Sequence, residues 1–256
     1  MNSANDLYVS NASLLWSTLL LFSAVLVDMK QSLGLGKEIV VSGIRTVVQL
    51  VAIGYILGFL FDQNNVFLTL GMVLFIVFNA AWNAGKRSNG IPKAFQISFL
   101  ALATGTTVTL TILVLTKLIA WTPSQIVPIA GMIVSKAMTA LGIVYQTMNR
   151  MFIDQRQQIL EKLSLGATPK EASFTVMRES IRTGMIPSID WGKTAGIVSL
   201  PGMMAGLIFA GVDPMAAIRY QIVVIFMFIA VTSISCLIAS YLAYRSFFNS
   251  RSQLVG

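Results

Sequence analysis

The chain alternates long apolar runs with short polar connections. Seven runs stand out, over residues 14–27, 39–61, 66–84, 97–120, 126–148, 185–211 and 220–248. A helix needs about 20 residues to cross a bilayer, so the first run must borrow flanking residues to do so. The predicted fold is an all-α integral membrane protein of about seven transmembrane helices. The whole of 1–256 reads as a single transmembrane domain, without a soluble domain or a low-complexity tail.

The longest polar stretch falls between the fifth and sixth runs. Its core, Glu161 to Ile186, reads EKLSLGATPKEASFTVMRESIRTGMI. Leu165-Gly166 is a helix stop, since glycine takes the left-handed conformation that closes a helix. Thr168-Pro169-Lys170-Glu171 is a helix start, with a capping threonine, proline at the first helical position and glutamate completing a T-x-x-E box. The segment 150–184 is therefore predicted to be a helix-turn-helix. An ordinary helical connection is the plain reading; a docking surface is the functional one.

Composition sharpens the membrane assignment. The chain is 55% hydrophobic and 11% charged, against about 25% charged in soluble domains. Its net charge of +8 follows loop position rather than a nucleic-acid-binding surface. Lys30 and Lys37, then Lys86, Arg87 and Lys93, then Arg150, Arg156, Lys162, Lys170, Arg178 and Arg182, and finally Arg245 and Arg251 fall in alternate connections or the tail. The intervening connections hold only Lys117 and Arg219. The positive-inside rule then puts the N-terminus outside and the C-terminus and the 150–184 segment in the cytoplasm. No basic residue precedes the first run, so its flank does not suit a cleavable signal.

The chemistry absent is informative. There is one cysteine, Cys236, and no histidine, which excludes a disulfide, a cysteine metal cluster and histidine-based metal or proton sites. Gly36-Lys37 is followed by Glu38 and lacks the upstream glycine of a P-loop. No catalytic dyad is visible, so the chain reads as a non-enzyme. Any energy for work comes from an ion gradient or another polypeptide.

Polar residues within the runs mark candidate path positions. Arg45 and Gln49 share a helix face, as do Asn79 and Asn83. Lys136 lies inside the fifth run, with Gln146 and Asn149 near its end. Asp190 and Lys193 are three apart and can neutralise one another. Pro201-Gly202 predicts a kink, because proline removes a backbone donor. Gly54/Gly58 and Gly202/Gly206 are G-x-x-x-G pairs, for which helix packing is the default reading. Met203 and Met204 are soft potential ligands, though methionine more often simply packs.

The stretch Leu165-Gly166-Ala167-Thr168-Pro169, followed by Ala172, resembles the coupling segment of ABC-transporter permeases, which docks in a cleft of the ATPase subunit. The wider pattern is more specific. It includes residues 78–84 (FNAAWNA), 128–133 (PIAGMI), 161–170, 199–204 and 206–211. Together these closely resemble the FetB family of iron-export permeases, related to plant permeases involved in aluminium tolerance. The resemblance implies a multi-pass permease of the cell membrane, the bacterial cytoplasmic membrane in particular. It implies a separate ATPase that carries ATP-Mg, two copies of each chain, and iron or another metal as substrate. No cofactor is expected on this chain. Glu161, Leu165, Gly166, Ala167, Thr168, Pro169, Lys170 and Glu171 are then the ATPase-coupling residues. The importer-type pattern is not matched: Lys162-Leu163 follows Glu161, and no Ile-x-Leu-Pro follows Gly166.

The metal ligands are unknown at this stage. Gln49, Asn79, Asn83, Asp190, Met203 and Met204 are the candidate substrate-path residues. Lys136, Arg45 and Lys193 repel a bare cation and fit an anionic metal chelate better, or serve structure. The alternative is a stand-alone secondary transporter driven by a proton or sodium gradient, with Asp190 as the titrating group. A seven-span receptor and a membrane-embedded enzyme find less support.

Overall fold

A computed structural model describes residues 11–249, apart from 64 and 89, together with 251–255. Among the described residues ten α-helices follow one another: α1 (Asn11–Gln31), α2 (Gly36–Gln63), α3 (Val66–Lys86), α4 (Ala94–Leu115), α5 (Pro123–Asp154), α6 (Arg156–Ser164), α7 (Pro169–Ala172), α8 (Phe174–Thr194), α9 (Gly202–Phe209) and α10 (Pro214–Ala243). A 3-10 turn, Tyr244–Phe247, ends the last of them. Among the described residues the only β structure is two isolated bridges.

Among the described residues six helices are long and apolar enough to cross a membrane: α1 to α5 and α10 with its 3-10 extension. They coincide with the first five predicted runs and the seventh. The sixth departs from expectation. Residues 185–211 are not one continuous helix; α8 ends at Thr194, and helix resumes only at Gly202. The cause is local. Gly196 takes φ +84°, and its N–H donates to the Ser199 carbonyl at 2.9 Å, closing a small loop that leaves the helical path. Pro201, without an N–H, is the residue before α9. The interruption was predicted at Pro201-Gly202 and begins six residues earlier. Residues 1–10, on which part of the expected outward orientation rests, lie outside the described residues.

The core is a bundle of α3, α4, α5, α8 and α10, and α5 packs against each of the other four. Leu102, Ile126, Ile133, Leu141, Val144 and Val231 are fully buried. Small residues let the helices close in. A Cβ on Gly184 of α8 would lie 2.6 Å from Val144 Cγ2 and 3.2 Å from the Ala140 carbonyl. Buried polar groups then bond across helices: Ser98 with Tyr145 at 2.8 Å, Ser235 Oγ to the Ala101 carbonyl at 3.2 Å, and Asn149 Nδ2 to the Ser88 carbonyl at 2.6 Å.

α1 and α2 lie at the edge of this bundle, with α2 touching α5. They pack on each other, and most of their large apolar side chains are exposed. One carboxylate joins them: Asp28 accepts the N–H groups of Leu35 at 2.7 Å and Gly36 at 2.8 Å. It thereby caps α2 from the end of α1. A Cβ at position 36 would lie 2.8 Å from that carboxylate, so any larger residue needs the Asp28 side chain to shift.

Candidate functional site

The 156–172 region folds as its residues dictate. α6 ends at Ser164, Gly166 takes φ +91°, and α7 starts at Pro169. Gly166 N–H donates to the Leu163 carbonyl and Ala167 N–H to the Lys162 carbonyl, each at 3.0 Å. This pair of bonds closes a helix with a left-handed glycine. The capping box is complete. Glu171 N–H donates to Thr168 Oγ1 at 3.3 Å, and Thr168 N–H donates to Glu171 Oε2 at 2.8 Å. The threonine hydroxyl also donates to Glu171 Oε2 at 2.7 Å. Those bonds, the side-chain one foremost, hold the Glu171 carboxyl below the usual carboxylate range.

One side of this turn is anchored and the other is bare. Ala172 and Ser173 are buried. Lys170 Nζ lies 5.5 Å from the Tyr241 ring centroid on α10. Sequence reasoning missed the support beneath. The chain after α10 folds back, Phe247 stacks on Phe152 with centroids 3.9 Å apart, and Val255 N–H donates to the Phe247 carbonyl. The paired aromatics at 247–248 were its only sequence signal. A groove of about 260 Å³ separates Thr168 and Pro169 from Tyr244, Phe248 and Ser252. On the outer side Leu165 is 89% exposed, and Glu161, Thr168 and Glu171 are also open. A rigid turn thus holds an apolar knob and a carboxylate clear of the bundle.

The candidate path residues are spread over four helices. Gln49 is exposed on α2. Asn79 and Asn83, exposed on α3, donate to the carbonyls one turn back, of Phe75 at 3.0 Å and Asn79 at 2.8 Å. Asp190 accepts from Lys193 at 3.2 Å, exposed on α8. Met203 and Met204 are half-buried on α9, and Met203 packs on the core. Among the described residues no hydrogen bond or ion pair joins residues of this set on different helices.

Two further groups lie where sequence spacing gave no warning. Lys136 Nζ sits 5.2 Å from the Trp191 ring centroid and 5.5 Å from that of Phe228. α8 turns an open polar face outward, with Arg178, Glu179, Arg182, Asp190 and Lys193 along a groove of about 820 Å³. Among the described residues no group of three or more His, Cys, Asp or Glu is placed to hold a metal ion. Neither G-x-x-x-G pair packs against the described residues: a Cβ on Gly54, Gly58, Gly202 or Gly206 meets nothing among them within 4 Å.

Six apolar spans around a packed helical core define a multi-pass membrane protein. Residues 11–248 match the family described as Uncharacterised protein family (UPF0014), and the chain belongs to it. It is 51% identical over 255 residues to an Escherichia coli (strain K12) protein named "Probable iron export permease protein FetB", covering 100% of this chain and 97% of the relative. It is 36% identical to the rice (Oryza sativa subsp. japonica) UPF0014 membrane protein STAR2, covering 93% and 84% of the two chains. Identity to the Arabidopsis thaliana protein ALUMINUM SENSITIVE 3 is 35%, covering 90% and 85%. No solved structure matches.

Proposed function

We propose that this chain is the membrane-spanning subunit of an ABC transporter that exports iron or another metal, powered by ATP hydrolysed in a separate ATPase subunit. The observation that carries the proposal is the turn from Leu165 to Glu171: rigid, reciprocally capped, anchored on α10 and bare on its outer side. Such a turn suits the transmission of force. A partner that grips Leu165 and Ala167 pushes on α6 and α8 together. The metal comes from the name of the Escherichia coli relative. The cytoplasmic placement of the turn comes from the distribution of basic residues.

Two copies of the chain fit this reading. α8 has 21 residues, roughly 32 Å at 1.5 Å per residue, and packs on the spans α5 and α10. Its outward face carries five charged residues, which belong against water or protein rather than lipid. A second copy facing α8 across an aqueous path supplies that environment and covers the open glycine faces. The gradient-driven alternative relies on Asp190, which is exposed and already paired with Lys193.

The test is photo-crosslinking from position 165 or 167 in native membranes, with identification of the captured protein. Capture of a P-loop ATPase is expected. Failure to capture one, from protein shown to be folded and inserted, overturns the proposal.

A further inference from the structure

Lys136 is a basic side chain for which the described residues supply no ion-pair partner. It is the fourteenth of 32 residues in α5, and it sits where α5, α8 and α10 converge. Its neighbours are the rings of Trp191 and Phe228, whose centroids are 5.3 Å apart. Ring faces hold a cation without neutralising it. The ion pairs among the described residues are Arg150–Asp154, Arg182–Glu179 and Lys193–Asp190; none reaches Lys136. The carboxylate beside Trp191 in sequence, Asp190, is the one engaged by Lys193.

Gln221 is the second observation. It lies on α10 seven residues before Phe228, hence on the same helix face, about 10 Å further along. It is 4% exposed, and neither its Nε2 nor its Oε1 has a partner. A buried amide in that condition calls for something to bond. The face of α10 that supplies the Lys136 ring contact thus also carries an uncommitted donor and acceptor.

These groups suit one state of a metal and not another. A bare transition-metal ion exchanges its water for several protein donors, and no cluster of such donors is placed together among the described residues. A positive charge at depth repels it as well. A metal already wrapped in carboxylate or phosphate oxygens brings its own ligands and an outward negative charge. It asks of the protein only a cation and N–H donors.

We propose that Lys136, with the Gln221 amide, recognises the metal as an anionic oxygen-ligand complex rather than as a bare cation. The proposal rests on the metal-permease reading above and names the substrate class within it. The test is equilibrium binding of radioactive iron to the purified full chain in nanodiscs, without ATPase. The probes are iron(III) citrate, iron(III) pyrophosphate and iron(II) held reduced by ascorbate. The proteins are wild type, Lys136→Arg, Lys136→Gln and Gln221→Leu.

Saturable binding of an anionic complex is expected, kept by Lys136→Arg and lowered at least about tenfold by Lys136→Gln, as on losing a charge-assisted hydrogen bond. Gln221→Leu lowers it less. Preference for citrate or for pyrophosphate identifies carboxylate or phosphate oxygens as the feature read. If Lys136→Gln binds the complexes as well as wild type, or wild type binds only iron(II), the inference falls while the metal-permease reading stands. If no form of iron binds to wild type or to Lys136→Arg of undiminished thermal stability, both fall.

Discussion

Gly166 and Gly196 both take left-handed backbone between helices, yet the two interruptions are built differently. At Gly166 the backbone groups are taken up by closing bonds and a reciprocal cap, and helix resumes at Pro169. At Gly196 helix is lost over 195–201, and α9 starts without a side-chain cap. Ile197 and Val198 are 87% and 78% exposed there. The lesson concerns stiffness. A turn closed by backbone bonds on one side and a reciprocal side-chain cap on the other carries a displacement from one helix to the next. A longer exposed apolar segment, held by backbone bonds without a side-chain cap, absorbs it. The proposed transporter needs both: a stiff element where a partner pushes and a yielding one where a path changes shape.

The strongest way to break this contrast is Gly166→Trp. No atom crowds position 166, but its φ of +91° is unfavourable for any side chain, and the indole lands on the proposed docking face. Transport should fall by at least an order of magnitude while membrane insertion stays normal, as measured in vesicles against the membrane-fraction yield; full transport would sink the coupling role. Gly196→Ala comes next. Left-handed alanine costs about 1–2 kcal/mol, but the surrounding segment has room to move. We expect a smaller stability loss than that in thermal unfolding, with coupling to the ATPase retained. A loss of coupling equal to that at position 166 would erase the distinction.

Thr168→Ala sharpens the comparison by removing the cap alone. Loss of an N-cap costs about 1 kcal/mol, which should raise amide hydrogen exchange over 168–172 roughly fivefold and leave 195–201 unchanged. The smallest effect is a pH dependence. Hydrogen bonds from Thr168 depress the Glu171 carboxyl in the folded chain. Its stabilising contribution is therefore fully present above the unfolded carboxylate value and is lost as pH falls through the folded one. Protection of the Thr168 amide should decline over that acid range in the wild type. The same titration of Thr168→Ala should be shallower, because the hydroxyl bond is gone while the residue-168 N–H still donates to Glu171.

The turn was legible because every group that builds it lies within a few residues of its partner. T-x-x-E and a glycine three residues before a proline-started helix state their own geometry. The spans α1 to α5 and α10 were legible from their apolar length. The break in the sixth run was placed too late, at Pro201-Gly202, because conformation there is decided by Gly196 and its bond to Ser199. The partners of Lys136 were out of reach of any local reading, since Trp191 and Phe228 lie 55 and 92 positions away in sequence. The fold-back beneath α7 was hidden for the same reason. Asn79 and Asn83 shared a helix face as expected, but their amides turned to the backbone of their own helix, a choice that spacing alone does not reveal.

Bilayer thickness becomes a variable of this protein through its first hairpin. The apolar stretch of α2, residues 39–61, is roughly 35 Å of helix, against a hydrocarbon slab of about 30 Å. α1, with 21 residues, is roughly 32 Å long. A long helix meets such a mismatch by tilting. The Asp28 carboxylate grips the first turn of α2, so a leaning α2 takes the end of α1 with it. A thinner membrane lays the pair over, and a thicker one stands it upright beside the bundle.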